Sequence, residues 1–186
     1  DRAEAAADGV ARTVFTTERE NIAFKKPVRG TFTRLPDSRK KDDSTPVVTR
    51  VNDGREDWFS GVATSGDPGF QDQFVVIDLL DRIPIAEVQV DWWAFAHPKS
   101  YSVLVSDDQK NWSDFAVDVA PEKGERILSD SGDQMYRSIS ISGAKATPLA
   151  RYILVFMSKG AGYYSRFGRR YVQIYEIRAF SAKTPG

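Results

Sequence analysis

From residue 21 onward, apolar and polar positions alternate in short runs separated by Gly, Pro, Asp and Ser. DQFVVIDLL (72–80), AEVQVDWWAF (86–95) and SYSVLVS (100–106) read as consecutive strands. YRSISIS (136–142), RYILVFM (151–157) and RYVQIYEIRAF (170–180) read the same way. A period of two puts alternate side chains on opposite faces of a sheet. Many short strands with turn signals between them and scarce helical periodicity predict an antiparallel sandwich or barrel. Trp92 and Trp93 are adjacent, so alternation turns one inward and one outward. Trp92 is expected in the core and Trp93 at the surface. In YSVLVSDDQKNW (101–112), a strand enters a polar run suited to a hairpin turn. Trp58 and Trp112 read as core or turn packing.

The connections carry a second pattern. Residues 1–20 are Ala- and Glu-rich and read as a lead-in or linker, 21–181 as the domain, and 182–186 as a tail. Three polar stretches are long for loops: 29–57, 59–71 and 158–170. Loops of that length on a rigid β scaffold carry function or are disordered. The third contains Tyr163, Tyr164, Arg166, Phe167, Arg169 and Arg170, a composition that points to function.

Composition then removes whole classes of chemistry. The chain has 186 residues, enough for one ordinary core. Lys plus Arg (26) balance Asp plus Glu (26), so no global field favours nucleic acid or a membrane. With no cysteine, disulfides, Cys-ligated zinc and thiol catalysis are excluded. His97 is the single histidine. It rules out a His-based metal cluster and leaves a histidine-driven triad without context. A histidine in a loop before Pro98 reads first as a surface residue. No run is apolar for long enough to span a bilayer. No secretory leader is visible, and a mature exported protein would have lost one.

The order of several motifs resembles the discoidin family, also called coagulation-factor C-type domains, whose bacterial branch includes family 32 carbohydrate-binding modules. NIAFKKPV (21–28) is similar to that family's opening N-L-A-x-x-K-P-V, and NDGREDWFS (52–60) to its D-G-N…W-x-S loop. FVVIDLLDRIPIAEVQVDW (74–92) resembles W-x-x-V-D-L-G…I-x-x-V-x-V-x-W, and YSVLVSDDQKNW resembles Y-x-I-x-V-S-x-D-G-x-x-W. ARYILVFM (150–157) and QIYEIRAF (173–180) are similar to A-R-Y-V-R-L and x-I-x-E-I-x-V-x-G. The resemblance covers residues 21 to 180. It implies an all-β, antiparallel jelly-roll sandwich of about eight strands with ligand-binding loops at one end. It also implies a non-catalytic carbohydrate-binding module of a secreted bacterial glycan-active or surface protein. Such a module works at the cell surface, in the periplasm or outside the cell, as a monomeric unit of a larger chain.

The resemblance further implies a structural calcium beside the Asp-Gly loop. Carried over, its ligands are the Asp53 side chain, the Arg50, Arg55 and Tyr175 carbonyls, and Glu176. A hard cation needs six or more oxygens, and a tight loop of carboxylates and carbonyls supplies them. The loop departs from the pattern: Trp58 comes two residues early, and Glu56 and Asp57 stand where Thr is expected. Two readings stand. Either a carboxylate replaces the Thr, or Arg55 pairs with Glu176 while Asp53 caps backbone N–H groups and no metal binds.

A sugar site needs an exposed aromatic platform for C–H faces and forked polar side chains for hydroxyls. Phe59, Trp93, Phe95, His97 and Lys99, with Tyr163, Tyr164, Arg166, Phe167 and Arg169, are the candidates. Many galactose-binding relatives have His where Phe59 stands, so galactose is not implied. Arg34, Arg39, Lys40, Lys41, Arg166, Arg169 and Arg170 would gather at one end of the sandwich. That cluster suits an acidic or sulfated glycan held by bidentate arginines. A protein- or phospholipid-binding discoidin domain, with Phe167 and the tyrosines as spikes above arginines, is the alternative. A hydrolase using Asp53 with Glu56 or Asp57 ranks last.

Overall fold

The computed structural model describes residues 19–33, 47–56, 63–142 and 146–182, without the Phe167 side chain. Eleven strands appear among these: β1 (Val28–Gly30), β2 (Ala63–Thr64), β3 (Gln73–Trp93), β4 (Ala96–Pro98), β5 (Tyr101–Ser106), β6 (Ser113–Val119), β7 (Glu125–Leu128), β8 (Gln134–Ile141), β9 (Leu149–Met157), β10 (Tyr163–Ser165) and β11 (Gln173–Ser181). The expected all-β class holds, and the expected count of about eight is too low. Four of the eleven, β1, β2, β4 and β10, have three residues or fewer. Runs that short show no period of two for a reader to detect.

The runs at 72–80 and 86–95 are one strand, not two. The first half of β3 pairs with β1 and β9, and β9 leads through β5 to β6. Its second half pairs with β8 and β11, which carry β7 and β2 at their outer edges. Every pairing is antiparallel. β3 is therefore the strand shared by the two half-sheets, interior to both, that turns them into a sandwich. Its inward residues Val75, Ile77, Val88, Val90 and Trp92 are all buried in one cluster with Tyr101, Val103, Ile153 and Ile177. Trp92 lies 5.1 Å from Tyr101 and 6.2 Å from Phe32, ring to ring. Trp93 is half-buried, on the opposite face, as alternation requires.

The crossing between half-sheets falls at a register shift between Asp78 and Ile83. Asp78 fixes it, accepting from the Leu80 amide at 2.8 Å and from Arg151 Nε and Nη2 at 2.8 and 3.0 Å. Leu80 sits there at φ +70° and is half exposed. This is the position at which the V-D-L-G motif has glycine. A β-carbon in the left-handed region costs about 1–2 kcal/mol, against roughly 0.5–1 for the freedom a glycine loses on folding. Leu80→Gly is therefore expected to raise unfolding stability by about 0.5–1 kcal/mol, measured by urea titration. A destabilised variant would show that the leucine's packing outweighs its backbone strain.

Candidate functional site

The site is built where the two distant segments singled out in the sequence meet. β10 pairs with β4 in the register Tyr163↔Pro98, Tyr164↔His97 and Ser165↔Ala96. The Arg166 amide donates to the Phe95 carbonyl at 2.8 Å, and the Lys99 amide to the Gly162 carbonyl at 3.0 Å. Trp93 and Phe95 meet edge to face at 5.6 Å. The Arg166 guanidinium lies 4.8 Å from the Phe95 ring centroid. Trp93, Phe95, Lys99, Tyr163, Tyr164 and Arg166 thus share one rim of the sandwich.

Other candidates take different roles. Arg169 donates to the Tyr171 hydroxyl at 3.0 Å. Arg170 is exposed and stands 3.8 Å from Asp67. Phe59, Arg34, Arg39, Lys40 and Lys41 lie outside the described residues, as does the Phe167 side chain.

His97 requires a correction. It is 1% exposed, on a strand rather than in a surface loop. Its ring lies between Tyr164 at 5.5 Å and Tyr136 at 5.3 Å. Nδ1 is 2.8 Å from the Pro98 carbonyl, which can only accept, so this nitrogen carries the proton. Nε2 faces Glu122 at 3.5 Å. Burial pulls the His97 pKa down. The imidazole is a neutral support that sets the attitude of Tyr164, itself 43% exposed. Tyr136, Glu122 and the Arg126 guanidinium over Tyr136 were not candidates from sequence. They come from β7, β8 and the turn before them, and nothing local in the sequence links those residues to His97.

The Asp-Gly loop follows a 3₁₀ turn, Val47–Asn52. Asn52 anchors the turn, donating to the Ala23 and Lys26 carbonyls at 2.9 Å each. Gly54 takes φ +82°, and its amide donates to Glu176 Oε2 at 3.0 Å. Asp53 Oδ1 accepts from the Arg55 amide at 2.9 Å, the capping role foreseen for it. Glu176 is fully buried, and its Oε1 has no hydrogen-bond partner among the described residues. Burial, with a smaller contribution from the Asp53 charge, pushes the Glu176 carboxyl up to about 10. Arg178 is the arginine whose charge acts most on it.

Of the two carboxylates at the Thr position, Asp57 lies outside the described residues and Glu56 is engaged by arginines. It accepts from Arg178 and, at 3.5 Å, from Arg137. Both arginines also clasp Asp91, with Arg137 Nε and Nη2 each at 2.9 Å and Arg178 Nη1 at 2.7 Å. Burial and a hydrogen bond shared with Asp91 push Glu56 up to about 7. The four side chains form one clasp on the outer face of the β3, β8 and β11 sheet. Among the described residues, no three His, Asp or Glu side chains gather as a ready-made metal site. A cation at Glu176 and Asp53 would therefore rely on backbone carbonyls for most of its oxygens.

No protein-family model matches the chain, and no curated protein matches its sequence. Solved structures do match. A CBM32 module of Clostridium perfringens, CpGH89CBM32-4, in complex with GlcNAc-α-1,4-galactose, has TM-score 0.58 at 17% identity over 89% of this chain and 96% of its own. Chitosan-binding module 1 of a chitosanase/glucanase from Paenibacillus sp. IK-5 has TM-score 0.54 at 18% identity over 88% and 100%. A fucose-binding module of Streptococcus pneumoniae has TM-score 0.55 at 19% identity over 90% and 99%. This chain has the β-sandwich fold of those carbohydrate-binding modules.

Proposed function

We propose that this chain is a non-catalytic carbohydrate-binding module that holds a glycan on the rim formed by β4 and β10. The observation that carries the reading is the β4–β10 pairing, which sets the Arg166 guanidinium over Phe95 beside Trp93 and Tyr164. Aromatic faces suit the C–H surface of a pyranose, and a forked cation held among them suits a carboxylate or sulfate. The sugar-binding names of the neighbours support the same class of ligand. An acidic or sulfated glycan is the proposed preference. The module would belong to a secreted bacterial glycan-active or surface protein and would raise the local concentration of its attached partner on polymer.

A structural calcium fits the Asp-Gly loop. Asp53, Glu176 and the carbonyls of Arg50, Arg55 and Tyr175 would hold it. The orphaned Glu176 Oε1, buried beside a second carboxylate, supports this assignment. The ion would neutralise the two acids and lock the loop onto β11.

A glycan array with sulfated and uronic acid polymers tests the function. Binding is expected to at least one charged polysaccharide, with Arg166→Ala and Phe95→Ala each weakening it at least tenfold, in line with a lost charge-assisted bond. An undiminished hit in both variants would place the site elsewhere. Co-sedimentation with anionic liposomes but no array signal would favour the phospholipid-binding alternative.

A further inference from the structure

Phe70 stands out among the large apolar side chains: it is 74% exposed. It belongs to the turn between β2 and β3, and that turn is tightly built. Asp67 Oδ1 accepts from the Gly69 amide at 2.9 Å, while the Asp67 carbonyl accepts from Phe70 and Gln71 amides at 3.3 and 3.4 Å. Beneath it the fully buried Gln73 donates Nε2 to the carbonyls of Asp67 and Gln71, both at 3.3 Å. The turn thus presents an aromatic ring to water from a well-braced base. A single exposed apolar side chain is ordinary on a protein surface; what distinguishes Phe70 is the braced turn that holds its ring beside β10.

The turn is also joined to the ligand rim. Asp72 Oδ1 accepts from the Lys159 amide at 3.0 Å. Arg170 lies 3.8 Å from Asp67. A β-carbon on Gly69 would meet the Tyr163 ring at 3.9 Å, so the turn and β10 touch next to Phe70. Phe95 and Arg166 thus lie at one end of β10 and the Phe70 turn beyond the other, where it meets Tyr163, which packs against the core on the face opposite Tyr164. Extended backbone advances about 3.3 Å per residue, which separates Tyr163 from Arg166 by roughly 10 Å. One pyranose ring cannot touch both ends.

We infer that Phe70 is a second stacking platform, so that the protein recognises at least two linked sugar rings rather than a single terminal one. This rests on the glycan-binding reading given above. Arg166 and Phe95 would engage one ring, and Phe70 would stack on a neighbouring ring of the same chain. Among the described residues Phe70 belongs neither to the core cluster nor to the side chains packed against it, so Phe70→Ala is expected to leave the fold intact.

The test is an array that carries each sugar both as a monosaccharide and within longer chains, read with the unmodified protein, Phe70→Ala, Phe70→Trp and Arg166→Ala. Phe70→Ala is expected to weaken binding to oligosaccharides about five- to tenfold and to leave monosaccharide binding unchanged, with an unaltered melting temperature. Phe70→Trp should retain binding. Arg166→Ala should weaken both classes of sugar. Equal losses on both classes in Phe70→Ala, or no loss on oligosaccharides, overturn the second platform while leaving the glycan-binding function standing. An unmodified protein that binds no glycan overturns both together.

Discussion

Replacing Asp91 by alanine is expected to lower the unfolding free energy by about 3–5 kcal/mol, a large share of a small domain's stability. Asp91 is fully buried on β3, paired across the sheet with Arg137 on β8 and with Glu176 on β11. Its two oxygens take three charged hydrogen bonds, two from Arg137 and one from Arg178. Burial by itself pushes the Asp91 carboxyl up, and Arg137, a hydrogen bond from Glu56 and the Arg178 charge overcome this and hold it below its usual range. Removing the carboxylate leaves two largely enclosed guanidinium groups with Glu56 as their sole remaining acid in the clasp. Without Asp91, Glu56 loses the neighbouring carboxylate that helped push it up and becomes more fully charged, yet it remains one acid against two guanidinium groups. Urea unfolding at pH 7 of the variant against the parent measures the effect. A loss below about 1 kcal/mol would mean that both arginines reach water, as surface ion pairs do. Because the Asp91 pKa is lowered on folding, its contribution is present above the usual carboxylate range and is lost as pH falls through the folded value.

That clasp also marks the boundary of what the sequence could disclose. Strand faces were legible because alternation is a local signal: Trp92 is enclosed and Trp93 partly exposed, and the strand read at 100–106 is found at Tyr101–Ser106. The inward row of β3 followed from the same rule. The Glu56–Arg178 contact spans 122 positions and depends on which strands become neighbours, so GRED alone could not reveal it. β4 and β10 were missed for another reason. Three residues of main-chain pairing leave no periodic trace, yet this pairing brings Arg166 to Phe95 and buries His97. Phe70 was not singled out from the sequence. An aromatic at a tight turn can equally pack the turn onto the sheet, the reading given to Trp112, so the residue type marks the position and only the structure shows its exposure.

Glu176 carries the second large effect, and its sign is opposite to that of Asp91. Its pKa rises from 4.5 to about 10 on folding, chiefly through burial. The folded protein therefore holds a proton that the unfolded chain releases once pH exceeds about 4.5. Stability must fall as pH rises between those values, by at most about 1.4 kcal/mol per unit, a few kcal/mol by pH 8. Glu56 adds a smaller loss of the same sign between 4.5 and about 7. In chelator-treated protein, Glu176→Gln should then be more stable than the parent at pH 8 and nearly equal to it at pH 4.5. A divalent cation at Asp53 and Glu176 would oppose the loss, because it favours the ionised carboxyl. Calcium is accordingly expected to raise the melting temperature of the parent more at pH 8 than at pH 6, and to leave Glu176→Gln almost unmoved. A calcium shift of equal size in parent and Glu176→Gln would move the ion away from this loop. A flat stability profile in chelator would show that the Glu176 carboxyl reaches solvent or a partner, and the need for an ion there would disappear with it.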